Sequence, residues 1–183
     1  MSILEKAIRQ SFIIPLMACS TFFVSAQVTA VPEYQLKAAF LFNFTQFVEW
    51  PAASFSSDQS PLVIGILGKA PFNSYLEEIV SGEKVNGHSI VINYYNSIDE
   101  IQTCHILFVS LAESKNLEQA VTDLKGRHIL TVSDVPGFTK QGGMIMFFKK
   151  ENKIKLQINQ EAYREADLVI SSKLLRLAEI FVP

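Results

Sequence analysis

The run Leu62-Val63-Ile64-Gly65-Ile66-Leu67-Gly68 carries no charged or polar side chain in seven residues. A strand with one face in water alternates apolar and polar residues, whereas a strand covered on both faces does not. Residues 62–68 therefore read as a central strand of a parallel sheet flanked by helices. Working outward, the same grammar repeats. Ile90 to Tyr95, Ile106 to Val109 and Ile129 to Val132 read as further strands. Helical spacing lies between them: Phe72, Tyr75, Leu76 and Ile79 after Pro71, with Gly82 beyond, then Leu117, Ala120, Val121 and Leu124, closed by Gly126. Past Gly142-Gly143, residues 144–148 and 153–159 flank a polar turn. There Ile154, Leu156 and Ile158 alternate with Lys155, Gln157 and Asn159, as in a half-exposed antiparallel strand.

Helices are predicted at both ends of this region. Pro32-Glu33 opens one that runs to Trp50 and stops at Pro51. Phe40, Phe44, Phe47 and Val48 form one stripe, with Ala38 and Phe42 on another face, so this helix is expected to be covered on more than one side, either as a fully buried core helix or by the core together with a partner. A short helix is predicted over 161–166, and a last one from Ser171-Ser172 to Phe181, with Leu174, Leu177, Ala178 and Phe181 inward. The expected fold is α/β, a three-layer α/β/α sandwich with a mostly parallel sheet and a late antiparallel hairpin.

Composition limits the function classes. The chain has 183 residues, 49% hydrophobic and 19% charged, enough for one well-buried core. A formal net charge of -2 lacks the basic footprint of a nucleic-acid binder, and the apolar content argues against disorder. No apolar run reaches the ~18 residues that suggest a membrane span.

The first 26 residues read as a secretory signal peptide. Lys6 and Arg9 precede the apolar stretch Phe12 to Val24, and Val24-Ser25-Ala26 is a small-x-small cleavage signal before Gln27. A buried N-terminal helix, an uncleaved anchor, and lipoprotein processing at Leu16-Met17-Ala18-Cys19 are the alternatives. Cleavage after Ala26 leaves residues 27–183 as a single domain with Cys104 as the sole thiol, so the mature monomer can form no internal disulfide.

Motifs for catalysis are scarce. There is no Gly-x-Ser-x-Gly, His-Glu-x-x-His, Cys-x-x-Cys or phosphate-loop sequence, and Gly65-x-x-Gly68-Lys69 has the wrong spacing for an anion cradle and reads as a tight turn. Histidines 88, 105 and 128 show no metal-ligand spacing. Neither a cofactor nor a catalytic residue is predicted. Ligands of doubly wound sheets sit beyond the carboxyl ends of the strands, which here carry Lys69, Ser110, Ser133 and Asp134. These four form a candidate crevice for a small polar ligand, although Ser and Asp after strands also serve as caps and turns. Lys149, Lys150, Lys153 and Lys155 read as protection of a hairpin edge, and Cys104 as a buried small hydrophobe.

The segment from Tyr34 to Pro51, Tyr-Gln-Leu-Lys-Ala-Ala-Phe-Leu-Phe-Asn-Phe-Thr-Gln-Phe-Val-Glu-Trp-Pro, resembles the opening signature of the YfiR family of bacterial periplasmic proteins. Further pieces follow in order: Cys104-His-Ile-Leu-Phe-Val-Ser110, Ile129-Leu-Thr-Val-Ser-Asp134, Gly142-Gly-Met-Ile145 and Ile170-Ser-Ser-Lys-Leu-Leu-Arg-Leu-Ala178. The resemblance implies a non-enzymatic regulator that binds and restrains an inner-membrane diguanylate cyclase or other sensor protein, so controlling cyclic di-GMP and biofilm. It also implies an outer-membrane lipoprotein as a possible second partner, and a homodimer. Some members carry disulfides; Cys104 fits one such position, but Gly65 stands on the neighbouring strand with no cysteine to pair. Phe42 with Leu175 and Arg176 is the partner surface that the residue pattern suggests. A periplasmic small-ligand sensor is the competing expectation.

Overall fold

The computed structural model describes residues 32–182 apart from 70, 73 and 111–113, with the backbone alone at 114–116. The leader reading over 1–26 lies outside the described residues. The described residues belong to one compact unit.

The centre of the sheet follows from the apolar runs. Strands β2 (Leu62–Gly68) and β5 (Ile106–Ser110) are buried along nearly their whole length. Successive side chains of a strand point to opposite faces. Ile64, Ile66, Ile106 and Phe108 accordingly enter one core, while Leu67, Leu107 and Val109 enter a second. The first core receives Leu41 and Phe44 from helix α1 (Glu33–Phe47) and Leu76 and Val80 from α2 (Tyr75–Val80). The second receives Leu117, Val121 and Leu124 from α3 (Ser114–Leu124). Two cores on opposite faces of one sheet make the three layers expected.

The remaining elements extend both flanks. In chain order they are β1 (Val48–Glu49), β3 (Lys84–Val85), β4 (His88–Tyr95), β6 (Leu130–Ser133), β7 (Ile145–Lys150), β8 (Lys153–Asn159), α4 (Gln160–Glu165), β9 (Val169–Ile170), α5 (Ser172–Leu175) and β10 (Ala178–Phe181). The main sheet runs β10-β8-β7-β6-β5-β2-β4-β3. The segment from β4 through β2, β5 and β6 to β7 is parallel. Strands β7 and β8 form the expected antiparallel hairpin, with Ile145 opposite Ile158.

Several expectations need correction. The final segment is not a helix to Phe181. Helix α5 ends at Leu175, and β10 pairs in parallel with β8, Ala178 opposite Leu156 and Phe181 opposite Asn159. The positions Leu174, Leu177, Ala178 and Phe181 match helical spacing, but a short apolar run does not by itself distinguish helix from strand. Here the side of β8 that faces away from β7 supplied the competing backbone partner. Leu177, expected inward, is 67% exposed.

The first helix also ends earlier, at Phe47. Val48 and Glu49 are extended and pair antiparallel with Ile170 and Val169, in line with the bias against helix in residues near a following proline. Helix α2 begins at Tyr75 rather than Pro71, though Phe72 still enters the first core. The lysine-rich hairpin is not the sheet edge, because β10 covers β8. Lys150 pairs with Glu179 of β10 at 2.6 Å and Lys149 with Glu33 of α1 at 2.5 Å. Gly65 is not in a turn either. It lies within β2, where a Cβ would stand 2.7 Å from the Tyr95 ring, 2.8 Å from the Cys104 sulfur and 2.9 Å from Leu107.

Candidate functional site

The strand order places the four predicted crevice residues along one edge of the sheet. Gly68, just before Lys69, lies opposite Ser110, and Val109 lies opposite Ser133. The order reverses between β2 and β5, which is where ligands of such sheets bind. Residues 70 and 111–113, which follow Lys69 and Ser110 in the sequence, lie outside the described residues. Among the described ones, Lys69 is exposed and Ser110 half-buried.

Ser133 and Asp134 have internal work. The Ser133 hydroxyl is fully buried, donates to the Val109 carbonyl at 2.6 Å and accepts from Val135 N–H at 3.1 Å. Both bonds tie the end of β6 to its neighbour and to its own turn, so Ser133 is a turn anchor. Asp134 turns the other way, towards α1. Its Oδ2 accepts from Lys37 Nζ at 2.7 Å and from the Tyr34 hydroxyl at 3.3 Å.

Lys37 is the residue that organises this end of the molecule. Its side chain is only 3% exposed, and a buried ammonium is costly unless it is paired. Two carboxylates meet it, Glu33 at 2.6 Å from one turn back and Asp134 from the end of β6, while its Nζ lies 4.5 Å from the centre of the Tyr34 ring. Burial pulls the Lys37 pKa down, and the hydrogen bonds to Asp134 and Glu33 outweigh it, so the group titrates above an ordinary lysine. Hydrogen bonds from Lys149 and Lys37 hold Glu33 below the usual carboxylate value. Burial, then the charge of Asp134, push the Tyr34 hydroxyl up. The chain Lys149–Glu33–Lys37–Asp134 thus clamps the start of α1 to β6 and β7.

Beside the clamp lies a cavity of about 340 Å³ lined in part by Lys37, Asp134, Gly137, Met146, Phe148 and Ile154. Its walls combine apolar side chains with already paired charges. Of the four predicted crevice residues, Asp134 alone lines it. Sequence reasoning missed Glu33, Lys37 and Lys149. The Glu33–Lys37 pair at i, i+4 was a usable signal, but nothing local links it to Asp134, 97 residues away.

The predicted partner residues separate by burial. Phe42 and Leu175 are half-buried and pack at the margin of the first core, and Arg176 is exposed. Ser171 N–H donates to the Phe47 carbonyl at 2.9 Å, so α5 starts at the end of α1. More apolar surface is open nearby in sequence: Val169, Leu177, Ile180 and Val182 are 58%, 67%, 41% and 79% exposed. Leu177 was missed because the segment to Phe181 read as a helix with that side chain inward.

Cys104 is buried, with Sγ 3.1 Å from the Ile106 carbonyl, and burial pushes its thiol up to about 12. The sulfur is a packing atom, as its position before a buried strand suggests. Among the described residues, no group of three or more His, Cys, Asp and Glu side chains is placed to hold a metal ion, and no described helix is long and apolar enough to cross a membrane.

The YfiR/HmsC-like family model matches residues 34–179, almost the whole of the compact unit. The chain belongs to the YfiR/HmsC-like family. No curated protein matches the chain. The match takes in Lys37, Asp134 and Lys149 of the clamp, the central strands and the first residues of β10.

Proposed function

We propose that this protein is a periplasmic regulator that binds and restrains an inner-membrane signalling protein, with a diguanylate cyclase as the partner, and so controls cyclic di-GMP and biofilm formation. The observation that carries the reading is membership of the YfiR/HmsC-like family over residues 34–179. The secretory layout of residues 1–26 supports export and the periplasmic location. Action through binding rather than chemistry agrees with a site whose carboxylates are paired and whose buried serine is committed to the backbone. The half-buried Phe42 and Leu175, the exposed Arg176, and the exposed Leu177 and Ile180 supply the contact surface. Homodimerisation and sequestration by an outer-membrane lipoprotein belong to the same proposal.

Deleting the gene and measuring cyclic di-GMP tests it, together with capture from membrane extracts on the mature protein. The level should rise on deletion, and a membrane signalling protein should be captured. An unchanged level with no captured membrane protein would sink the proposal.

The cavity beside Lys37 favours a second reading, a sensor of small ligands. Thermal-shift screening with metabolites should then reveal a ligand whose stabilisation is lost in Asp134→Ala. An undiminished shift in that variant, and in Ser110→Ala, places the ligand elsewhere.

A further inference from the structure

The loop between β1 and β2 is held by an unusual stack. Phe55 lies between two imidazoles, His88 at 4.1 Å and His105 at 4.4 Å between ring centres, both nearly parallel to it. His88 Nδ1 faces the Ser60 carbonyl at 2.6 Å and His105 Nε2 the Ser54 carbonyl at 3.1 Å, so each ring also holds one end of the loop.

His105 does something more. It is 1% exposed, and its Nδ1 accepts the backbone N–H of Val63 at 3.0 Å. Its own N–H donates to the Val63 carbonyl at 2.9 Å. The imidazole therefore takes the place of a backbone carbonyl at the start of the β2–β5 ladder. That bond fixes the tautomer: Nδ1 must be bare, and the proton sits on Nε2, where it reaches Ser54. The Trp50 indole N–H donates to the His105 carbonyl at 3.0 Å, with its ring edge-on to the imidazole.

We propose that the loop over residues 51–61 is an acid-sensitive latch, held shut by neutral His105 and released when that imidazole takes up a proton. The second proton has only Nδ1 to go to. There it meets the Val63 N–H, donor against donor, and the bond is lost. The ring must then leave its place, taking with it the contacts to Ser54 and Phe55.

Charge from the surroundings does little to offset this. Trp50, Ser54, Phe55 and Val63 bring none, and His88 across the Phe55 ring adds only positive charge. On the cleft side, Arg127 donates to the Ile101 carbonyl at 2.7 Å and His128 Nδ1 faces the Ala166 carbonyl at 3.0 Å and Asp167 at 3.9 Å. Burial accordingly lowers the His105 pKa from 6.5 to about 4. Opening returns the ring to water, so the midpoint of release falls between these two values. Ser54, Ser56 and Ser60 of the loop help wall a cleft of about 530 Å³ that also includes Cys104 and Arg127, and release changes that surface.

Trp50 is the single tryptophan of the chain and reports directly. Its emission, followed from pH 8 to 3.5 on the purified protein, should change with a midpoint between pH 4 and 6.5 while the far-ultraviolet dichroism stays constant. His105→Asn keeps an acceptor for Val63 without a titrating group and should abolish the step, whereas His88→Gln should keep it. Phe55→Ala, which leaves both His105 hydrogen bonds in place, should move the midpoint upward by at least half a pH unit. The latch is refuted by an unchanged step in His105→Asn, by its loss in His88→Gln, or by dichroism lost together with the emission change. Should His105→Asn fail to fold, an unmoved midpoint in Phe55→Ala refutes it as well.

Discussion

Lys37 shows how much depends on one side chain near the start of the domain. It is buried between two carboxylates that are themselves only partly exposed, so removing it takes a buried charge partner from each and leaves Glu33 to Lys149 and Asp134 to the Tyr34 hydroxyl. Lys37→Met should cost about 2–3 kcal/mol in urea unfolding at pH 7, the range expected when a charged partner is removed. The pH dependence has a definite sign. Glu33 titrates below its ordinary value of 4.5 when folded, so its stabilisation is complete above that value and is lost as pH falls through the lowered one. The gap between parent and variant should therefore narrow in urea titrations repeated at progressively lower pH below 4.5.

Gly65 and Cys104 belong to the same scale. The space a side chain would need at 65 is already occupied by Tyr95, Cys104 and Leu107, and Gly65→Ala should lower stability by about 1–3 kcal/mol, measured by the same titration. The thiol it would touch is buried and raised to about 12. Cys104 should therefore resist a thiol reagent at pH 8 in the native protein and react fully in urea. Rapid native labelling would contradict its burial.

At the scale of elements, β10 is the piece that sequence pattern misjudged. Of the four positions that fit a helical face, Leu174 stays in α5, Leu177 stands in water, and Ala178 and Phe181 are laid along β8. Ile180→Lys should leave urea stability within about 0.5 kcal/mol, as expected for an exposed position, while reducing capture of the membrane protein proposed as partner. Truncation after Leu177 removes the strand that covers β8. It should lower stability and produce oligomers on size-exclusion chromatography, because a newly opened edge invites pairing with other chains.

The whole molecule is built on one sheet shared by two cores. Ile106 and Phe108 serve one face and Leu107 and Val109 the other, so neither core can be lost without disturbing the same strands. At neutral pH, urea unfolding followed by Trp50 fluorescence and by far-ultraviolet dichroism should give coincident transitions. Separate midpoints would show that the two faces unfold independently. The fold was legible where burial on both faces left a continuous apolar run, as at 62–68 and 106–109, and where alternation marked one exposed face, as at 154–159. It was not legible at 177–181, where the same spacing suits two structures and the choice depends on a distant partner.

The sequence by itself determined the class of the fold, the positions of its central strands, the burial of Cys104 and the family, because each rests on local periodicity or on contiguous motifs. Tertiary structure alone decided that Asp134 meets Lys37, that the Ser133 hydroxyl is committed to the Val109 carbonyl, and that His105 stands in for a backbone carbonyl. In every one of these the deciding partner is 24 to 97 residues away along the chain. A hydrogen bond is set by distances of about 3 Å, and no spacing along the chain encodes which distant groups the folded sheet will bring that close.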